Sequence, residues 1–317
     1  MLSKNALAVA LPIALSSLPV LSMAVVLTML TSCREPQPDN TSGCTDDWFE
    51  AYLNRSDPPA GIADSSLACY SEGEFNDDQP DVACQVEFTG QTALYDYQDQ
   101  EGRAGAIQLA AGPGLEGVDE AATLTAGEDG FVEATLTQCT PVSYKTTRDE
   151  AMPTYHPNQV FAPKDPFEPH FQSVSNGSRG LLQLTFGQSI EDGNGAIVGR
   201  ALACDDEPLA NAQVVIRDAE CNVPATAFFG YFTAQLPDVF RGATSDDGVF
   251  AIFNVPPGIY TVDMFLRTDG SAEGNEHVLA ASSTVEIRAD SISISDLFVG
   301  DEDGVHYPAS CRGTCSP

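Results

Sequence analysis

Positive charge is scarce in this sequence. Over 317 residues, 14 lysines and arginines stand against 46 aspartates and glutamates, a formal net charge of −32. Such a surface repels phosphate backbones and anionic headgroups, which excludes nucleic acid as a partner and suits solubility or a basic partner. Histidine is rarer still. His156, His170, His277 and His306 are the whole set; none falls in H-E-x-x-H spacing or beside a nucleophile motif, so all four read as loop or surface residues. There is no G-x-x-x-x-G-K-[ST], no dinucleotide fingerprint after a strand and no C-x-x-C pair. These absences argue against P-loop, Rossmann, zinc-ribbon and thioredoxin-like chemistry. No catalytic residue, metal site or cofactor is therefore expected, and the chain reads as a non-enzyme.

Apolar residues are present in ordinary proportion, 43%, so packed cores are expected. At the amino terminus, residues 1–32 carry no acid, one base (Lys4) and an apolar run from Ala6 to Leu30. A membrane-spanning helix needs about 20 such residues. The run ends, however, in Leu30-Thr31-Ser32-Cys33 followed by polar Arg34-Glu35-Pro36. This resembles a bacterial lipobox. The resemblance implies cleavage before Cys33, with diacylglycerol on its thiol and an acyl chain on the new amine. A signal peptide cut elsewhere and an uncleaved anchor are the alternatives. Cleavage removes only Lys4 from the charge, which becomes −33. By analogy with enteric bacteria, Arg34 after the acylated Cys is compatible with transfer to the outer membrane, on its periplasmic or surface face. The membrane, reached through the lipid, is then one partner; an envelope protein or glycan is the other kind expected.

Of nine cysteines, setting Cys33 aside leaves eight: Cys44, Cys69, Cys84, Cys139, Cys204, Cys221, Cys311 and Cys315. An even number in an exported chain favours disulfides, with 105 pairings open. Spacing suggests Cys44–Cys69, Cys84–Cys139, Cys204–Cys221 and Cys311–Cys315, each within one segment.

After the signal (1–32) comes a tether over 33–82. It includes a short helix over Thr45–Asn54, capped by Thr45 or Asp46, and an acidic linker from Ser71 to Asp81. Trp48, Phe49 and Tyr52 give that helix an apolar face, either a docking site or, as preferred, a surface stapled by Cys44–Cys69 against the body behind it. From Cys84 the text is strand-like. Val86, Phe88 and Gly90, then Gly105-Ala106-Ile107 and Asp129-Gly130-Phe131-Val132, are echoed later by Ala196-Ile197-Val198-Gly199, Asn211-Ala212-Gln213-Val214 and Asp247-Gly248-Val249-Phe250. Gly90 matches Gly199, Asp96 matches Asp205, Ala106 matches Ala212, and Tyr144 matches Tyr260. A repeat of this length points to two similar domains rather than a solenoid. Short apolar strands between Gly, Pro and Asp turns argue for sandwiches, and Asp247-Gly248 is a hairpin signal.

The second copy resembles the carboxypeptidase regulatory-like modules, relatives of transthyretin and of the B-type repeats of surface adhesins. The residues carrying the likeness are Gly195–Gly199, Glu207–Ile216, Thr244–Phe250 and Pro256-Pro257-Gly258-Ile259-Tyr260. It covers roughly 193–300 well and 83–150 weakly, and implies binding, spacing or assembly. Phe240–Gly248 with Pro257–Tyr260 also looks like the strand pair of intradiol dioxygenases. Their iron, held by two Tyr and two His, is argued against because Thr261–Asp269 holds no His. The Lys–Asn isopeptide of adhesin repeats is excluded in the second domain, which has no Lys.

Two segments exceed what such a module needs. Ala219–Phe240 carries Phe228, Phe229, Tyr231 and Phe232, which form either a ligand-binding loop or, as preferred, a disulfide-pinned flap. Pro141–Gly193 is proline-rich and is expected to wrap one domain and lead into the next. Asp205-Asp206-Glu207, Asp246-Asp247 and Asp301–Gly304 offer oxygen ligands for calcium, but none matches the twelve-residue EF-hand loop and solvated turns account for them. Val249–Phe253 is apolar on both faces, so the outer face of that strand should be covered by the aromatic insertion or by 150–190.

The expected architecture is all-β: two tandem Ig-like/transthyretin-like β-sandwiches behind a short disulfide-stapled helical segment. The boundaries are 83–150, extending to about 172, for the first sandwich, 173–192 for a connector, 193–300 for the second, and 301–317 for an acidic Cys-containing tail. The expected function is a lipid-anchored envelope protein that binds, spaces or assembles. A carbohydrate- or peptide-binding lipoprotein feeding uptake or degradation is the alternative.

Overall fold

The computed structural model describes residues 84–97, 100–162, 170–177, 180, 185–188, 190–203, 206–234, 236–267, 277–301 and 304–311. The lipobox, Cys33, the Trp48 helix, Cys44, Cys69, Cys204 and Cys315 lie outside them. Within them the chain is all-β, built as two sandwiches. No helix among the described residues is long and apolar enough to cross a membrane.

The first copy supplies β1 (Glu87–Asp96), β2 (Gly105–Ala111), β3 (Thr123–Ala126), β4 (Phe131–Thr137), β5 (Pro141–Thr147), β6 (Ala151–Met152), β7 (Thr154–Val160) and β8 (His170–Ser175). The second supplies β9 (Gly195–Leu202), β10 (Gln213–Arg217), β11 (Phe228–Thr233), β12 (Leu236–Asp238), β13 (Val249–Val255), β14 (Gly258–Arg267), β15 (His277–Ile287), β16 (Ile292–Ile294) and β17 (Leu297–Phe298). The repeat read from sequence is visible in the pairing. In each copy the first strand lies antiparallel to the strand after the Asp-Gly turn, β1 with β4 and β9 with β13. In each, β2-β5-β7 or β10-β14-β15 forms an antiparallel series. In each, the next strand returns parallel to the first, β8 on β1 and β16 on β9.

The tandem arrangement has a form that the repeat did not suggest. β16 is hydrogen-bonded on one side to β9 and on the other to β7, parallel to both. One sheet therefore runs β12-β11-β13-β9-β16-β7-β5-β2-β3 through both copies, with β17 beside β9. The second copy contributes its β9/β13 sheet to this layer, and the first contributes the opposite sheet of the motif, β2-β5-β7. β10-β14-β15 covers one face, closing a core around Ile197, Val215, Phe250, Ile252, Val262 and Met264. β4-β1-β8-β6 serves the other sandwich, around Leu94, Ile107, Val132, Leu136, Tyr144 and Phe171.

Strand β4 shows the usual half-buried alternation, with Val132, Ala134 and Leu136 inside and the residues between exposed; this is the period of a sheet with one wet face. β13 differs: all seven residues are buried. Phe250 faces the sandwich interior, while Val249, Ala251 and Phe253 face a separate core made with Met152, Val174, Phe186 and Ile190. Phe250 is 1% and Phe253 4% exposed, so the expected cover over the outer face exists. It comes from 150–190 together with Phe228 and Phe232. Gly230 permits it, because a Cβ there would lie 2.5 Å from the Phe186 ring.

Several expectations are corrected. The Asp-Gly turns are not hairpins: Asp129-Gly130 carries the chain from β3 in the long sheet to β4 in the other, and β13 has β11 and β9 as neighbours, not β12. Gly248 does take the left-handed φ of +67° that the signal anticipates. The aromatic insertion is not a flap but includes the strand β11, whose alternation sends Phe228 and Phe232 to one core and Phe229 and Tyr231 to the other. The segment 141–193 contains the regular strands β5 to β8. Pro157 is accommodated in β7 at a register shift against β5, where Asn158 has φ +58°; proline is confined to edges and bulges because it cannot donate to the ladder. Cys139 pairs with Cys311, not Cys84, across 172 residues, so Cys311 is not bonded to Cys315. Proximity in sequence misled here. The turn between β4 and β5 brings Cys139 to the returning tail, where Cys84, Cys139 and Cys311 share a small core with Val160 and Tyr307. Cys84 and Cys221 are also disulfide-bonded.

His156 is the other departure. It is 1% exposed, not a surface residue. Its ring stacks on Tyr144 at 4.2 Å, and Nε2–H donates to the Gln172 carbonyl at 3.0 Å. Burial holds its pKa down at about 3. The native state keeps it neutral while the unfolded chain protonates near pH 6.5, so its contribution is fully present above about 6.5 and lost as pH falls toward 3. His156→Phe keeps the stack and removes the titration. We expect it to lower stability at pH 7 through the lost hydrogen bond, by about 1–3 kcal/mol. It should also flatten the loss of stability between pH 6.5 and 4 in denaturant titrations; an unchanged pH slope would refute this role.

Candidate functional site

The junction between the copies carries two polar constructions. The first lies on the face of the long sheet toward Tyr155. Asp119, from the loop between β2 and β3, accepts Lys145 Nζ at 2.7 Å and the Tyr155 hydroxyl at 3.1 Å on Oδ1. Its Oδ2 accepts Arg288, which arrives from the second copy just after β15. Lys145 and Arg288 each sit 5.3 Å from the centre of the Tyr155 ring, a range where a cation is attracted to the ring face. Burial alone would raise the Asp119 pKa, but Lys145, Tyr155 and Arg288 together hold it below the usual carboxylate value. The same partnership keeps Lys145 protonated against its own burial. This is an ionic lock across the joint.

The second construction is a cleft of about 100 Å³ between the end of β7, the β16–β17 connection and the returning tail. Asn158 and Gln159 form one wall; Asp296, Phe298 and His306 form the other. The Asn158 Oδ1 accepts the Gly114 N–H at 2.8 Å, and Gln159 Nε2 donates to the Pro157 carbonyl at 3.0 Å. Asp296 Oδ1 accepts the Arg200 N–H at 2.8 Å. His306 lies flat on Phe298, centroids 3.6 Å apart, with Nδ1 2.8 Å from Asp301 Oδ2. Its Nε2 is 2.9 Å from Asp206 Oδ1. Burial pushes the Asp296 carboxyl above the usual range, opposed by the Arg200 N–H and by the charges of Arg200 and His306.

Size decides what such a cleft can do. Sites for drug-sized ligands span about 300–1,000 Å³, so this one admits a single functional group or a few waters. Its one hydroxyl, Ser295 Oγ, is 3.3 Å from Ser283 Oγ, and no step of acyl or phosphoryl transfer can be written from these groups. Among the described residues, no group of three or more His, Cys, Asp or Glu side chains is placed to hold a metal.

The residues singled out from the sequence lie elsewhere. Tyr231 and Phe232 are buried, and the Tyr231 hydroxyl accepts the Val214 N–H at 3.0 Å. The four aromatics of β11 thus pack the two cores and offer no stacking platform. Asp247 Oδ1 takes the Ser245 hydroxyl and the Val249 N–H, the bonds of a turn cap. Asp119, Asn158 and Asp296 are not among those residues.

No family model matches the chain, and no curated protein matches it. Among solved structures, the shaft pilin SpaA of Lactobacillus rhamnosus GG aligns at 10% identity over 68% of this chain and 98% of that one, with a TM-score of 0.23. The major pilin subunit BcpA of Bacillus cereus aligns at 7% over 68% and 100%, with a TM-score of 0.23. The TIE protein of Bacillus anthracis aligns at 14% over 67% of this chain but only 34% of its own length, with a TM-score of 0.21. Scores this low carry no functional weight.

Asp296 yields a test with a defined sign. A carboxyl whose native pKa is raised contributes stability below the unfolded value and loses it as pH rises through the native one. Asp296→Asn preserves the acceptor for Arg200 and removes the charge. Its melting temperature should exceed that of the parent at pH 7 and converge with it at pH 3; a deficit at pH 7 would contradict the burial account.

Proposed function

We propose that the chain is a non-enzymatic, lipid-anchored component of the bacterial cell envelope whose two sandwiches work as one spacer or assembly arm. The observation that carries this reading is the double pairing of β16 to β9 and β7. A flexible string of modules would leave β16 and β7 as free edges, because only their pairing crosses from one copy to the other. Here both edges are consumed, the Asp119–Arg288 lock crosses the joint, and a core containing Phe186 and Phe253 lies under it. Such construction suits a part that holds a fixed geometry. The lipobox at Leu30–Cys33 supplies the anchor, and the charge of −33 keeps the body solvated.

Two measurements test the two halves of this reading. Labelling with palmitate should be lost in Cys33→Ser, and retained label would place the anchor elsewhere. Calorimetry of the mature protein should give one transition for both sandwiches. Arg288→Ala, which removes one arm of a partly exposed network worth about 1 kcal/mol, should move that single transition down without splitting it. Two resolved transitions in the parent would show independent modules and defeat the spacer reading.

A further inference from the structure

The β12 edge of the long sheet ends in an apolar tip. Within five residues, Leu236 is 60%, Val239 49% and Phe240 93% exposed. The tip is fixed in place. Asp238 Oδ1 accepts the Phe240 N–H at 3.1 Å, and Oδ2 accepts the Thr233 hydroxyl at 3.1 Å. The Arg241 guanidinium is turned back onto the carbonyls of Ala243 and Thr244, at 3.1 and 2.8 Å. A turn whose polar groups bond inward while three large side chains point outward is pre-organised to meet an apolar phase.

We propose that this tip inserts into the interfacial region of the bilayer that carries the anchor, an inference that rests on the lipid-anchored reading above. Area separates a bilayer from a protein partner. Three side chains, the largest an aromatic of about 150–250 Å², fall short of the roughly 800 Å² per partner of a stable protein interface. Pro237 within β12 also blunts the edge against strand addition. A bilayer requires neither shape matching nor a large patch, and tethering raises the effective concentration of a weak contact. The chain from Cys33 to Cys84 is long enough for it: with Cys44 bonded to Cys69 as expected, the remaining links still reach up to about 90 Å. The body's charge selects neutral over anionic lipid. The contact would set the β12 edge against the membrane, with β3 at the opposite edge of the same sheet.

The test uses the mature chain carrying Cys33→Ser, so that acylation plays no part. With Trp48→Phe as background, Phe240→Trp reports the tip. In phosphatidylcholine vesicles its emission should shift to the blue and be quenched by bromine-labelled acyl chains. The effect should persist in high salt and be lost when Leu236→Ser and Val239→Ser are added. Unshifted emission from a protein that melts as the parent does would overturn the proposal. So would a dimer abolished by Phe240→Ser together with absent quenching, which would assign the tip to a second copy. Loss of palmitate labelling from the parent would sink the anchor reading while leaving the vesicle result standing.

Discussion

The double parallel pairing of β16 is the constraint from which the rest of the architecture follows. A strand of three residues, Ile292–Ile294, has β9 on one side and β7 on the other. Its own side chains divide accordingly. Ile292 and Ile294 enter the core under the joint, while the Ser293 hydroxyl donates to the Glu286 carbonyl at 3.1 Å. With β16 in place, the long sheet has no interior edge, and β9 beside it is buried along nearly its whole length. The core that takes in Ile292 and Ile294 extends on to β13, where Phe186 and Met152 cover its outer apolar face.

The joint also explains how two copies of one motif can differ so much in composition. They enter the shared layer through opposite sheets: β9 and β13 from the second, β2, β5 and β7 from the first. Equivalent strands therefore meet different surroundings. The strand after the Asp-Gly turn is half wet in the first copy, where Glu133 and Thr135 are exposed, and dry in the second. Polar groups caught near the joint are satisfied individually: Asp119 by three donors, Asp296 by a backbone N–H, His156 by remaining neutral against a carbonyl.

Much of the fold was legible. The short apolar strands and the Gly, Pro and Asp turns between them are local patterns, and the repeat they form returns in the strand pairing of both copies. The two-faced apolar run in β13 even announced its missing cover. The candidate site was not legible. Asp119 and Arg288 are separated by 169 residues, and Asn158 and His306 meet only because the tail returns along the end of β7. The disulfide failed for the same reason, since Cys139 is close in sequence to Cys84 and bonded to Cys311.

What the sequence determined by itself was the character of each strand, the turns between them, the twofold repetition and the acidic surface, because these depend on neighbours a few residues apart. Which sheet of each copy would enter the common layer, and hence where His156, Asp296 and the β11 aromatics would lie, was decided only by the tertiary structure. Edge pairing between strands more than a hundred residues apart leaves no periodic trace in the chain. It is selected by the burial and hydrogen bonding of the assembled sheet as a whole.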